Sequence, residues 1–146
     1  GITDFYSFNL FKESFSCLSF MPFTTAKNIN YIVPIFLSAG RKFICLWDGD
    51  KEGREAKENL KKIFGEDIEK ISFTLSEINK DIKEIEDIYD NEEIKNLQKQ
   101  LSYNGKIKKF IPMIFFHPDK ENLLKQLPKT NKNFINFLQE LNKKFT

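Results

Sequence analysis

The chain has 146 residues, room for one domain with a modest core. Hydrophobic content of 40% and charged content of 30% fit a soluble globular protein, and no apolar run is long enough to span a bilayer. No signal peptide is read either, so a cytoplasmic chain without a membrane partner is expected. His117 is the one histidine, and Cys17 and Cys45 lie in no Cys-x-x-Cys pattern, which argues against a histidine-based triad and a zinc site. Both cysteines fall in expected strands and read as buried free thiols. The 16 phenylalanines, with abundant Lys, Asn and Ile, read as coding bias rather than function. Net charge of +2 hides an asymmetry, because residues 104–146 carry 9 lysines against 3 acids while the preceding part is net acidic.

Taken in chain order, residues 2–15 predict a helix with Ile2, Phe5, Phe8, Phe11 and Phe15 near one face. Asp4 falls in its first turn, where the helix dipole stabilises an acid. Ser16 to Phe23 predicts a strand. Thr24 and Thr25 then cap a helix running through Ile29, Val33 and Leu37 to Gly40, with a kink expected at Pro34. Phe43 to Trp47, five apolar residues, predicts a strand buried on both faces. It ends in Asp48-Gly49-Asp50. Asp50 is a good N-cap for a helix carrying Ala56, Leu60, Ile63 and Phe64 on one face and closed by Gly65.

Lys70 to Leu75 predicts another strand, followed by an acidic stretch from Glu77 to Glu93. Asn104-Gly105 signals a turn, and Ile107 to Phe116 reads equally as a strand or a buried helix. Asp119 to Leu127 and Asn131 to Phe145 predict helices, the second with Phe134, Phe137, Leu138 and Leu141 on one face.

Asp48 and Asp50 carry the chemistry. Two residues apart at a strand end, they point the same way in extended geometry, and Gly49 between them lets the chain turn tightly. Two hard oxygen ligands suit Mg²⁺, which takes one or two carboxylates plus water and phosphate oxygens. A solvated Asp-Gly turn explains the same residues without function.

The stretch Ile44-Cys45-Leu46-Trp47-Asp48-Gly49-Asp50-Lys51-Glu52-Gly53-Arg54-Glu55-Ala56 resembles the second motif of Toprim domains: a hydrophobic strand, Asp-x-Asp, then a small-residue helix start. Topoisomerases, bacterial primases and nucleases of the OLD (overcoming lysogenization defect) family share it. Gly53 matches the family glycine that lets the helix pack close to the sheet. Gly1-Ile2-Thr3-Asp4-Phe5-Tyr6 resembles the end of the first motif, Glu-Gly-x-x-Asp, in its OLD-like form. The resemblance implies that a strand and a catalytic glutamate belong immediately before Gly1. Residues 1–146 alone are therefore expected to be inactive and prone to aggregation through exposed sheet surface.

The resemblance implies an α/β fold, a Toprim-like (Rossmann-like) parallel sheet flanked by helices, with a helical C-terminal extension. Residues 1–95 would form the Toprim core and 96–146 the basic, mainly helical extension. It also implies Mg²⁺ or Mn²⁺ held by Asp48 and Asp50, with Asp4 completing the acidic pocket. Ile85-Glu86-Asp87-Ile88-Tyr89 resembles the segment after the last strand in OLD-type nucleases, so Glu86 or Asp87 would help hold a second metal. A solvated acidic helix explains the same pair. Lys132, with Lys129 behind it, is the candidate for the late lysine that steadies transition-state charge.

The expected function is metal-dependent hydrolysis of nucleic-acid phosphodiesters, with DNA as substrate and a role in defence. No Gly-x-x-x-x-Gly-Lys-[Ser/Thr] loop occurs, so ATP would act only through an ATPase elsewhere in the parent chain, itself a partner beside a possible second copy. Lysines of the basic end would track phosphates. Alternatives are a primase or topoisomerase Toprim domain, although Tyr6, Tyr31, Tyr89 and Tyr103 lie in no topoisomerase-like context. A non-catalytic Toprim-like interaction module is another. An aspartyl-phosphatase reading is disfavoured because Glu52 stands where that motif wants Thr or Val.

Overall fold

The computed structural model describes residues 2–11, 18–22 and 28–145, and of residues 2–5 the backbone alone. The protein is α/β and mostly helical. Among the described residues the only sheet has two parallel strands. The chain divides into two compact units, one formed by residues 23–84 and 139–146, the other by residues 2–22 and 85–138.

The first unit contains α2 (Ile29–Ser38), β1 (Cys45–Trp47), α3 (Lys51–Phe64), a 3-10 turn (Glu66–Ile71), β2 (Ser72–Thr74) and the short α4 (Leu75–Ile78). Cys45 pairs with Ser72, Leu46 with Phe73 and Trp47 with Thr74. Parallel strands need a crossover, and α3 supplies it. Asp50 caps α3 through its side chain, Lys61 and Lys62 sit in the last turn, and Gly65 ends the helix at φ +83°, a conformation that suits glycine. Ile29, Val33, Cys45, Trp47, Leu60 and Ile68 form one core. Inside it the Trp47 indole N–H donates to Ser72 Oγ at 2.9 Å, so the buried indole nitrogen is satisfied.

The central strand is shorter than its apolar run predicts. Only three of the five residues pair, with Cys45 and Trp47 buried and Leu46 half-buried. Burial along β1 therefore alternates between full and partial. Pro34 lies within α2 without ending it. The Thr24-Thr25 cap and Cys17 lie outside the described residues.

The second unit is helical: α1 (Ile2–Phe11), a 3-10 turn (Ile85–Ile88), α5 (Asn91–Gln100), α6 (Ile107–Phe116), α7 (Lys120–Lys125) and most of α8 (Pro128–Lys143). Its core is aromatic. Phe11 stacks on Phe134 at 4.4 Å between centroids, and Phe8 lies 5.8 Å from Phe137. The Tyr89 hydroxyl donates to Ser7 Oγ at 2.8 Å within this core. The predicted strand over Ser16–Phe23 is absent from its described part, residues 18–22, where Leu18 is buried and Phe20 stacks on Phe8 at 4.6 Å. Ring packing uses these apolar residues where a ladder was expected.

Of the two readings open for Ile107–Phe116, the helix holds, with Phe110, Ile111 and Ile114 buried along one side. The last helix starts at Pro128, three residues before the predicted start at Asn131. Proline is at home in a first turn, where its missing N–H would be unpaired anyway. Glu93, on α5, supplies the cap: its carboxylate accepts from the backbone N–H groups of Lys129 (2.6 Å) and Thr130 (2.9 Å) and from the Thr130 hydroxyl (2.7 Å). The hydroxyl oxygen in turn accepts from Asp90 N–H at 2.9 Å. A buried carboxylate is tolerated here because donors and a helix N-terminus surround it.

Among the described residues no helix is long and apolar enough to cross a membrane. Removing the Glu93 cap strands two backbone donors and a hydroxyl. Glu93→Ala is expected to lower the unfolding free energy by about 1.5–3 kcal/mol in urea titration, the range for hydrogen bonds to a charged group.

Candidate metal centre at the end of the first strand

β1 stops at Trp47, and the chain turns through Asp48, Gly49 and Asp50 into α3. Asp48 is half-buried and Asp50 exposed. Asp50 keeps extended backbone (φ −79°, ψ −177°), and its Oδ1 accepts from Gly53 N–H at 2.8 Å. One of its oxygens therefore serves the helix, and Oδ2 remains for another ligand.

Two glycines hold this turn by space, since neither adopts positive φ. A β-carbon on Gly53 would overlap the carbonyl oxygen of Asp48, so the first turn of α3 rests on the strand end itself. A β-carbon on Gly49 would overlap Ser76 Oγ and lie 3.2 Å from Lys83 Cα. Gly49 N–H donates to the Lys83 carbonyl at 2.6 Å, and the Gly49 carbonyl accepts from Arg54 Nη1 at 2.5 Å. The backbone between the two aspartates is thus fixed on both sides. No role is assigned to Arg54, Ser76 or Lys83 from the sequence. Arg54 stands in the resembling motif, but the other two lie beyond β2 in segments without periodicity.

Glu77 ties the C-terminal end of β2, which pairs with Trp47, to α3. Its carboxylate accepts from Thr74 N–H at 2.7 Å and pairs with Lys57 at 2.7 Å. Burial works to raise its pKa, but the Lys57 and Thr74 hydrogen bonds outweigh burial and hold it below the usual glutamate range. Burial pushes the Cys45 thiol up to about 12, so at neutral pH it is a protonated, inert core group.

The donor set is small. Among the described residues no three or more His, Cys, Asp or Glu side chains gather as metal ligands. Asp48 and Asp50 alone match the one or two carboxylates typical of Mg²⁺, with water and phosphate completing the shell. Arg54 and the N-terminus of α3 add positive potential at the same turn, which favours an anionic ligand such as phosphate.

The other residues singled out from sequence lie in the second unit. Asp4 is in the first turn of α1, and its side chain lies outside the described residues. Glu86 is largely buried and pairs with Lys108 at 3.5 Å, while Asp87 beside it is exposed. Lys132 is exposed on α8, and Lys129 faces Glu92 at 3.8 Å. The turn joins Asp48 to Asp50; Glu86 instead has a lysine partner of its own.

No protein-family model, curated protein or solved structure matches the chain.

A carboxylate with a depressed pKa stabilises the fold above its unfolded pKa and loses that contribution as pH falls through its folded one. Between about pH 5 and 3, wild-type unfolding free energy is expected to fall more steeply than that of Glu77→Gln, by at most about 1 kcal/mol for a pair this exposed. Urea titrations across that window check it.

Proposed function

We infer that this chain is a Toprim-like domain of the OLD-like branch and that its β1–α3 turn serves metal-dependent hydrolysis of nucleic-acid phosphodiesters. One observation carries the reading. Two carboxylates, Asp48 and Asp50, stand at the C-terminal end of a parallel strand on a turn whose backbone is fixed by Gly49 and Gly53. Ligands of open α/β sheets bind at that edge. The resemblance of residues 44–56 to the Toprim Asp-x-Asp motif and of residues 1–6 to the OLD-like first motif supports it.

Asp48 and Asp50 Oδ2 would hold Mg²⁺ or Mn²⁺. Such an ion supplies Lewis-acid stabilisation of a phosphoryl oxygen and a water of lowered pKa. Arg54 and the α3 N-terminus would draw the phosphate to the turn, and lysines of residues 104–146 would attract the polyanion from further away. Asp4, Glu86 and Lys132 belong to this reading through the resemblance alone, and Glu86 would have to exchange its Lys108 contact for a metal. The Toprim-like sheet would carry further strands beside β1 and β2, DNA would be the substrate, and ATP would act through an ATPase elsewhere in the parent chain.

A specific observation favours a second reading. The cap bond to Gly53 accounts for Asp50 without any ligand, as it would in a non-catalytic Toprim-like module.

Cleavage separates the two. A parent chain carrying the implied strand and glutamate before Gly1 is expected to nick plasmid DNA with Mg²⁺ or Mn²⁺. Asp48→Ala and Asp50→Ala are expected to reduce the rate by about 100-fold or more, the scale of losing electrostatic stabilisation at a reacting centre. Nicking unaffected by either substitution would favour the module.

A further inference from the structure

Helix α6 carries an apolar stripe to solvent. Lys109, Met113 and Phe116 follow at i, i+4 and i+7, so they share one face of the helix. Lys109 is exposed, Met113 is 45% exposed and Phe116 is 68% exposed. Phe116 is nonetheless braced. Its ring lies 5.1 Å from Phe115 at 85° and 5.5 Å from Tyr6 at 77°, while Tyr6 and Phe115 are 4.7 Å apart. Both neighbours meet Phe116 edge-to-face, so neither lies parallel to it.

Cations frame this cluster. Lys120 Nζ sits 5.1 Å from the Phe115 ring centre, and Lys109 stands at the opposite end of the stripe. Residues 104–127 hold 5 lysines against 2 acids, Asp119 and Glu121. An open ring between lysines matches a polymer in which planar groups alternate with negative charges.

We propose that the α6 stripe is a stacking platform for single-stranded nucleic acid, with a base on Phe116 and phosphates toward Lys109 and Lys120. A duplex has its bases already stacked on one another, whereas a single strand presents free base faces to an aromatic ring. For the class of polymer the proposal rests on the nucleic-acid reading above. It uses neither metal nor aspartate, so the two readings can fail separately.

The test is anisotropy of a labelled oligothymidylate of about 20 nucleotides, long enough to cover a typical binding footprint, titrated with the chain in EDTA beside a duplex of equal length. Wild type is expected to prefer the single strand. Phe116→Leu, apolar but not planar, is expected to weaken that binding about tenfold or more, the scale of one lost base–aromatic stack. Phe116→Trp is expected to retain binding, with the added indole emission quenched by the oligonucleotide above the constant signal of buried Trp47.

Equal affinity for both strand forms, no binding of either, or a Phe116→Leu variant that binds like wild type would overturn the platform. So would loss of self-association in Phe116→Leu with DNA binding unchanged, which would assign the ring to a second copy of the chain. Phe116-dependent binding without metal-dependent cleavage would leave the platform standing and remove the nuclease. Cleavage with Phe116-independent binding would do the reverse.

Discussion

The contact between Gly53 and the Asp48 carbonyl is the constraint on which the first unit depends. Here a β-carbon at position 53 would overlap the Asp48 carbonyl oxygen, so the first turn of α3 lies directly on backbone. That closeness fixes where Asp50 stands and brings Arg54 to the Gly49 carbonyl. Gly49, pressed against Ser76 and Lys83, closes the other side. A short two-stranded sheet can therefore hold the backbone from Asp48 to Asp50 in place, because the turn is fixed by packing and hydrogen bonds rather than by sheet size.

The second unit reaches order by different means. Its interior is built from rings, Phe8, Phe11, Phe134 and Phe137 with Tyr89, and rings bury large areas at few rotatable bonds. Two polar connections set helix positions within that core: Tyr89 to Ser7, and Glu93 to the start of α8. The phenylalanine excess, which composition alone reads as coding bias, thus has a structural use.

What was legible in the sequence is what local chemistry decides. The third helix follows from Asp50, from the spacing of Ala56, Leu60 and Phe64, and from Gly65, and all of these act within one stretch of chain. The two aspartates could be marked for the same reason, and Gly53 through the resemblance alone. The length of β1 could not, because among the described residues it is set by pairing with β2, which lies outside the apolar run itself. Residues 18–22 were misread similarly: apolar residues that suit a ladder serve equally well against Phe8. The start of α8 was hidden because its cap, Glu93, lies 37 residues before Thr130. Glu86, which the resemblance offers as a metal ligand, pairs with Lys108 on α6, a contact that its own segment does not announce.

The central proposal is that the clamped turn serves as a cation site through Asp48 and Asp50, rather than as a helix cap alone. The most direct measurement is electron paramagnetic resonance of free Mn²⁺ titrated with the chain, wild type beside Asp48→Asn and Asp50→Asn. The account predicts that wild type removes Mn²⁺ from solution, that Mg²⁺ returns it, and that each substitution abolishes uptake while leaving the fold intact by circular dichroism. Uptake that is absent in wild type, or equal in all three proteins, would contradict it.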